Sequence, residues 1–452
     1  MTGDPVRLLW TLVALLLWLA LVAAVAWREA RARRRSAPRA SPRAEGETVL
    51  VAFASQTGFG EELAVMTAET LRRGGSAVRM TPLDQVDTET LRTCGRALLI
   101  VSTTGEGDPP DNAARFVRRV MTDEADLSGV RYGLLALGDR DYDQFCGFGH
   151  AVDGWLRRAG AEPLYDLVEV DNGDAGAIRH WQHQLNALTG AVDEPDWTPP
   201  AYLPWRLTHR MLLNPGSPGG EAYHLRLEPI DHAPEWRAGD IAEVGVPASD
   251  AHPAPGAREY SVASLPADGG VEFVIRLARH ADGTPGLASG WLTQDCPLGG
   301  EVAMRLRANS GFHGPARKTP MILIGNGTGL AGLRAHIKER PTGCETWLLF
   351  GERTRAHDAF FEDELRGCLA TGFLTRLDRC FSRDEGDGRY VQDLIAANAD
   401  EMRVWIARGA AVYVCGSLEG MSRGVHAALE TMLGEEAVIQ LIEDGRYRRD
   451  VY

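Results

Sequence analysis

Apolar residues recur along this chain in two rhythms, and each predicts its own architecture. Between residues 48 and 190, short runs that are apolar at nearly every position (Thr48 to Ala54, Ala97 to Ser102, Tyr132 to Leu137) are separated by amphipathic stretches such as Glu61 to Arg73. A strand that is apolar throughout is buried on both faces, so this region predicts a doubly wound parallel sheet covered by helices. Between 205 and 315 the runs instead alternate and are broken by Gly/Pro turns, as in Ala222 to Glu228, Ile241 to Val246 and Val271 to Ala278. That rhythm predicts a small antiparallel barrel. The buried-strand pattern returns over 316 to 452, opening with Met321 to Ile324 before a Gly-rich turn, and predicts a second α/β unit.

Three further segments stand outside these rhythms. Leu8 to Trp27 is a run of 20 residues without a charge, and at 1.5 Å per residue it matches a hydrocarbon layer of about 30 Å. Arg28, Arg31, Arg33, Arg34 and Arg35 follow it, against Arg7 alone on the other side. The expectation is a transmembrane anchor with basic flank over 1–35, a single pass through the inner membrane, and the large part in the cytoplasm. A cleaved signal peptide ending near Ala23 to Ala26 is the competing reading, opposed by the arginines. Residues 36–47 read as a flexible tether, and the Pro- and Trp-rich stretch 191–204 as a stiff linker.

Charge and cysteine content narrow the function. Over 452 residues the formal net charge is −14, which argues against nucleic acid, whose phosphates need a basic surface. The seven cysteines form neither a Cys-x-x-Cys nor a cluster at zinc-ligand spacing. No metal site is expected, nor a protein-bound iron–sulfur cluster, and the pattern suits a reducing compartment.

The chemistry sits in the loops after the first unit's strands, on the carboxyl edge where open α/β sheets bind ligands. Ser55, Gln56, Thr57, Gly58, Phe59 and Gly60 offer hydroxyls, an amide and open backbone N–H groups at a helix start, but no Lys or Arg. Neutral donors suit a phosphate monoester better than a nucleoside triphosphate. Alone, such a turn is a common helix cap. With Thr103-Thr104-Gly105-Glu106-Gly107, and with Leu137-Gly138-Asp139 followed by Tyr142, Phe145 and Cys146, the region resembles the flavodoxin-like FMN module of cytochrome P450 reductase and the sulfite reductase flavoprotein. The resemblance implies that Ser55 to Gly60 hold the FMN phosphate, that Thr103 to Gly107 pass the ring edge, that Tyr142 stacks on the ring and that Asp171 lies near it. Phe59 and Gly60 stand where the family usually has Thr and Ala, which removes a hydroxyl from the phosphate shell. Cys146 stands where many relatives have Asn.

In the barrel, Arg258, Tyr260 and Ser261 can bridge a pyrophosphate, cover a flavin face and reach a flavin edge, although alone they also read as an ordinary edge strand. Joined by Gly286-Leu287-Ala288-Ser289, they resemble the FAD signature of the ferredoxin–NADP reductase family. Gly327-Thr328-Gly329 follows a strand and precedes a helical pattern, the context of dinucleotide binding. Gly332 replaces the Pro usual in the family. Arg353, Ser382, Arg383, Arg389, Tyr390 and Gln392 suit the 2′-phosphate of NADPH, with solvated surface arginines as the alternative. The resemblance further implies that Ser261, Cys415, Asp450 and the C-terminal Tyr452 form the hydride-transfer site.

The implied whole is a multidomain α/β and β protein: transmembrane helix, flavodoxin-like sheet, ferredoxin-reductase-type FAD barrel and NADP(H) unit. The implied function is an NADPH-dependent diflavin reductase that moves hydride from NADPH to FAD and single electrons through FMN to an acceptor. That acceptor is expected to be a haem protein, a sulfite reductase-like subunit or a membrane redox protein. The acidic residues Glu106, Asp108, Asp111, Asp139, Asp141 and Asp143 would suit a basic partner, or merely solubilise loops. An alternative is an electron-transfer subunit of a larger membrane complex, of sulfite, ferric or quinone reductase type, without turnover of its own. The helical connecting domain of the P450 and sulfite reductase flavoproteins has no room between Asp240 and Arg258, so the relative placement of the flavins must differ here.

Overall fold

The computed structural model describes residues 48–122, 125–140, 142–190, 195–197, 201–232, 234–248 and 256–452. The first unit is built on β1 (Val49–Ala54), β2 (Val78–Pro82), β3 (Arg96–Ser102), β4 (Arg131–Gly138), β5 (Glu162–Pro163) and β6 (Val168–Asp171). They pair in the order β2-β1-β3-β4-β5, with β6 also on β4, and every pairing is parallel. The uninterrupted apolar run of β1 has a direct cause. Val49, Val51 and Phe53 pack with Leu63 and Leu71 of the helix Phe59–Arg73 and with Trp181 of the helix Ala175–Thr189. Leu50, Ala52 and Ala54 point the other way, into a cluster with Phe116, Phe148 and Trp155. The order reverses beside β1, which opens a crevice at the carboxyl ends of β1 and β3.

The second sheet contains β7 (Leu203–Leu212), β8 (Ala222–Pro229), β9 (Ile241–Val246), β10 (Gly256–Ser261), β11 (Val271–Arg276) and β12 (Glu301–Arg307). Its order is β10-β9-β12-β7-β8-β11 and all pairings are antiparallel. Trp205, Leu207, Leu225, Leu227, Val244, Phe273 and Met304 fill its interior, the inward half of the alternation read from the sequence. Because β9 pairs directly with β10 from Ile241↔Ser261 to Val246↔Gly256, residues 247–255 are the whole connection between them.

The third sheet, β13 (Met321–Asn326), β14 (Thr346–Glu352), β15 (Arg376–Phe381), β16 (Ala411–Gly416) and β17 (Tyr447–Val451), has the order β15-β14-β13-β16-β17 and is parallel throughout. It is joined to the barrel by a buried charged cluster. Arg334, in the helix Leu330–Glu339, bonds both Glu272 of β11 and Glu364, and His224 Nε2 of β8 lies 3.0 Å from Glu272 Oε2. The linker lies against the first unit, with Trp197 Nε1 donating to Thr70 Oγ1 at 3.0 Å and Gln182 Nε2 to Pro195 O at 2.7 Å.

The expected membrane placement is corrected. Among the described residues no helix is long and apolar enough to cross a membrane. The longest of them, Phe59–Arg73 and Ala175–Thr189, have 15 residues each and are amphipathic, which gives about 22 Å against a hydrocarbon layer of about 30 Å. Leu8 to Trp27 and the tether 36–47 lie outside the described residues.

The charged cluster yields a pH prediction. Burial alone would raise the Glu272 carboxyl, but hydrogen bonds and charge from His224 and Arg334 outweigh it and hold the group at about 2, below its ordinary 4.5. Its stabilisation is therefore complete above the ordinary value and is lost as pH falls from there through about 2. Glu272→Gln should lower stability at neutral pH by about 3 kcal/mol. In thermal unfolding the gap from the parent should close as pH approaches the folded-state value, and a pH-independent gap would refute the assignment.

Candidate functional site

The carboxyl edge of the first sheet gathers the loops that the sequence singled out. Ala54 pairs with Val101, Ser102 with Leu137 and Gly138 with Asp171, so the loops following β1, β3, β4 and β6 are neighbours. Ser55 Oγ accepts from Gly60 N at 3.1 Å and Thr103 Oγ1 from Phe148 N at 3.3 Å. Thr104 Oγ1 is buried with no partner among the described residues, as expected of an oxygen placed for a ligand. Tyr142 projects from its loop, 41% exposed. Phe145 carries the Arg140 guanidinium 4.4 Å above its ring, and Asp171 Oδ1 accepts from Arg140 N at 3.1 Å. Gly138 is required, because a Cβ there would lie 2.7 Å from Cys146 N. Cys146 itself is fully buried, donates its S–H to Ala136 O at 3.4 Å and has its thiol pushed up to about 12 by burial. It is a packed thiol, not a nucleophile.

The loop Ser55 to Gly60 faces the other two units as well as its own sheet. Gly58 has φ +80°, and a Cβ on it would stand 2.2 Å from Ala308 O. Thr57 O accepts from Arg307 Nε at 3.1 Å, and the Arg307 guanidinium lies 5.7 Å from the Phe59 ring. Gln56 offers its amide elsewhere than to a phosphate: Oε1 accepts from Asp111 N at 3.1 Å and Nε2 donates to Arg449 O. Asp111, expected on the partner-facing surface, instead takes Arg449 Nε at 3.0 and 3.2 Å. Arg305 bridges Glu62 of the first unit and Glu243 of the barrel, each at 2.7 Å, and Arg118 meets Glu436 at 2.5 Å. The first-turn N–H groups of the helix Phe59–Arg73 still present a positive helix end to this edge.

Where barrel and third sheet meet, Ser261, Cys415, Asp450 and Tyr452 come together. Ser261 Oγ donates to Asp450 Oδ2 at 2.6 Å and Cys415 Sγ lies 3.6 Å from the same oxygen. Cys415 and Asp450 are register partners on β16 and β17. Burial raises the Asp450 carboxyl, against hydrogen bonds from Ser261 and Cys415 that lower it; burial and the Asp450 charge push the Cys415 thiol well up. Gly332 has a reason here, since a Cβ would sit 3.3 Å from Cys415 Sγ and 3.7 Å from Asp450 Oδ2. Tyr452 is 56% exposed, its hydroxyl 3.4 Å from Thr328 Oγ1. Upstream on β10, Arg258 is exposed and Tyr260 packs 5.7 Å from Phe273. Leu287 and Ala288 open a short helical turn after Gly286, and Ser289 Oγ is occupied by Ala278 N at 3.1 Å.

A cavity of about 690 Å³ opens beside this cluster. Gly327, Thr328, Arg353, Ser382, Arg383, Tyr390, Gln392 and Tyr452 all line it. Arg353 and Arg383 both line the cavity, where an anion can meet their guanidinium groups. Gly329 does not line the cavity: a Cβ there would lie 2.0 Å from Cys415 O, so it serves strand-to-helix packing. Arg389 is turned away to Asp387 at 2.6 Å. The sequence reading missed Arg276 and Glu352, which pair at 2.6 Å on the cavity wall. Only their positions at the ends of β11 and β14 could have marked them.

Residues 51–181 match the flavodoxin family. The sulfite reductase NADPH flavoprotein alpha-component of Vibrio vulnificus is 25% identical, with 89% of this chain and 87% of that protein aligned. The protein of the same name from Neisseria meningitidis is 26% identical, with 91% of each chain aligned, and that from Vibrio cholerae is 24% identical over 92% and 89%. Over about nine-tenths of its length the chain is thus similar to these NADPH flavoproteins, and its first unit to flavodoxin. It is nevertheless shorter than its relatives' alignments: that with the Vibrio vulnificus protein spans 540 residues against the 452 of this chain. The relative thus carries segments with no counterpart here, in keeping with the short connection from β9 to β10.

Asp111 supplies a test of how the protein holds its first unit. Asp111→Asn leaves Arg449 without its countercharge, at a cost of about 2 kcal/mol, between values for exposed and buried pairs. Limited proteolysis of the linker 191–204 should accelerate, and the exchanged pair Asp111→Arg with Arg449→Asp should restore resistance. Cleavage at the parent's rate in the single variant would sink the clasp.

Proposed function

We propose that this protein is a diflavin reductase that takes hydride from NADPH at the Ser261, Cys415, Asp450 and Tyr452 cluster and delivers single electrons from the first unit to a separate acceptor protein. The cofactor set FMN, FAD and NADPH, and the class of NADPH-dependent flavoprotein reductase, are supported by the flavodoxin match and by the similar NADPH flavoproteins. When bound, the two flavins supply the conversion of a two-electron donor into one-electron steps. The observation that carries the reading is one continuous cavity wall, running from Arg353, Ser382 and Arg383 to Tyr452 beside Thr328. A single dinucleotide can place an anionic end on the arginines and its reactive end at the cluster. There the buried Asp450 Oδ2, bonded by Ser261 and close to Cys415, is fit to hold a proton and to orient the reacting partners. Thr104 Oγ1 and the helix start at Phe59 supply donors and acceptors for FMN.

The relatives are each named as one component of sulfite reductase. On that ground the acceptor proposed is a haem-bearing partner of that kind, and the second reading is an electron-transfer subunit that turns over only with its partner. Reduction of cytochrome c by purified protein and NADPH favours independent turnover; activity appearing only with a partner favours the subunit.

The primary test is flavin extraction and anaerobic titration. Equal amounts of FMN and FAD, with absorbance bleached by NADPH, are expected, and a colourless protein or an unbleached chromophore would overturn the reading. A sharper test addresses the nucleotide. Arg383→Ala removes a charge-assisted contact worth about 1.5–3 kcal/mol, so KM for NADPH should rise about tenfold to hundredfold. With NADH the kinetics should stay close to the parent's, whereas equal losses with both nucleotides would show that Arg383 does not read the 2′-phosphate.

A further inference from the structure

A cavity of about 910 Å³ lies between the first unit and the barrel, within the size range of ligand sites. Its barrel side is Gly256, Ala257, Arg258 and Glu259, the start of β10. Its opposite wall comes from the first unit and the linker, with Phe59, Met66, Ile178 and Trp197 facing it. Glu62 also lines it, and Glu62 Oε2 is buried with no partner among the described residues although Oε1 is held by Arg305. An apolar wall, a free acceptor and the Arg258 guanidinium, set among the carboxylates of Asp139, Asp196, Glu243 and Glu259, suit a purine nucleoside carrying phosphate.

The direction of β10 says which part of a ligand this is. Ser261 ends the strand at the hydride-transfer cluster, and Gly256 begins it in the cavity. At about 3.3 Å per residue the two lie some 16 Å apart, a span that separates the ring end of an extended dinucleotide from its adenosine end. We infer that the adenosine moiety of FAD occupies this cavity, so that Phe59 and Trp197 from the first unit and its linker complete the FAD site of the barrel. The inference rests on the FAD reading above. It also gives Phe59 a purpose that the phosphate loop alone does not. The residue that departs from the family pattern faces the Arg258 cavity, where the usual Thr would leave the wall without an aromatic face. Docking of the two halves and FAD retention are then one event, because the site has two walls only in the closed molecule.

The test uses the full chain. Native FAD is exchanged for an analogue bearing an azide on its adenine, the protein is irradiated, and labelled peptides are mapped by mass spectrometry. Label is expected on peptides containing Phe59 to Met66 or Asp196 to Trp197, and label confined to residues 203–452 would overturn the inference. In parallel, Trp197→Ala is expected to weaken FAD binding about tenfold by equilibrium dialysis while FMN content stays at the parent's level. FAD bound at the parent's affinity in that variant would overturn the proposal. Parent protein that holds no FAD would instead refute the functional reading itself, so the two failures are distinguishable.

Discussion

Successive side chains of a strand face opposite ways, and in β17 that constraint fastens the molecule together. Asp450 turns inward to Ser261 of the barrel and Cys415 of the third sheet, while Arg449 turns outward to Asp111 of the first unit. The backbone carbonyl of Arg449 is held as well, by Gln56 from the loop after β1. Two adjacent residues thus hold three units in register. A one-residue slip of β17 would, in one direction, place the Arg449 guanidinium among Ser261 and Cys415 and, in the other, place the Asp450 carboxylate opposite Asp111. Register is therefore specified by charge at both faces and not by the strand's few apolar positions.

Electrostatics elsewhere follow the same logic. Barrel and third sheet share a cluster in which Arg334 is bonded by Glu272 and Glu364, while the first unit is docked by Arg305 to Glu62, Arg449 to Asp111 and Arg118 to Glu436. In the first cluster Arg334 and Glu272 are buried while Glu364 is partly open. Glu436 and much of Arg118 are open to solvent, with side-chain exposures of 74% and 37%. Pairs of that kind are screened by salt, whereas buried ones are screened much less. Of the three docking pairs, Arg118 with Glu436 is accordingly the one that salt weakens most, while Arg305 with Glu62 and Arg449 with Asp111 are largely shielded.

Much of this was legible in the sequence, and the exceptions share one cause. Continuous apolar runs located β1, β3, β4 and β13 to within one or two residues, because burial on two faces leaves no room for polar positions. Motif order brought Ser261, Cys415, Asp450 and Tyr452 into one set, and they are neighbours in space. What the sequence could not show is which face a loop residue gives to a distant unit. Gln56 looked like a phosphate ligand and is a clasp; Asp111 looked like a partner-facing acid and is an internal counterion; Arg389 matched a basic motif yet pairs with Asp387. Arg276 carried no motif and Glu352 only the neighbourhood of Arg353, since their pairing depends on the barrel and the third sheet meeting.

The short connection of β9 to β10 accounts for two of these placements, Gln56 and Asp111. With only residues 247–255 between the strands, nothing is inserted that could hold the first unit away from the barrel, and the two must meet directly. Direct contact demands small groups at the closest point, hence Gly58 against Ala308 O with no space for a Cβ. It also demands that polar groups at the seam be paired across it, hence Thr57 O with Arg307, Gln56 with Arg449 and Glu62 with Arg305. The loop that serves as a ligand cradle in the isolated sheet has thereby become part of a wall between units. A change in that loop should be judged by what stands across the seam, and Phe59, opposite Arg307 and the start of β10, is the position where that criterion matters most.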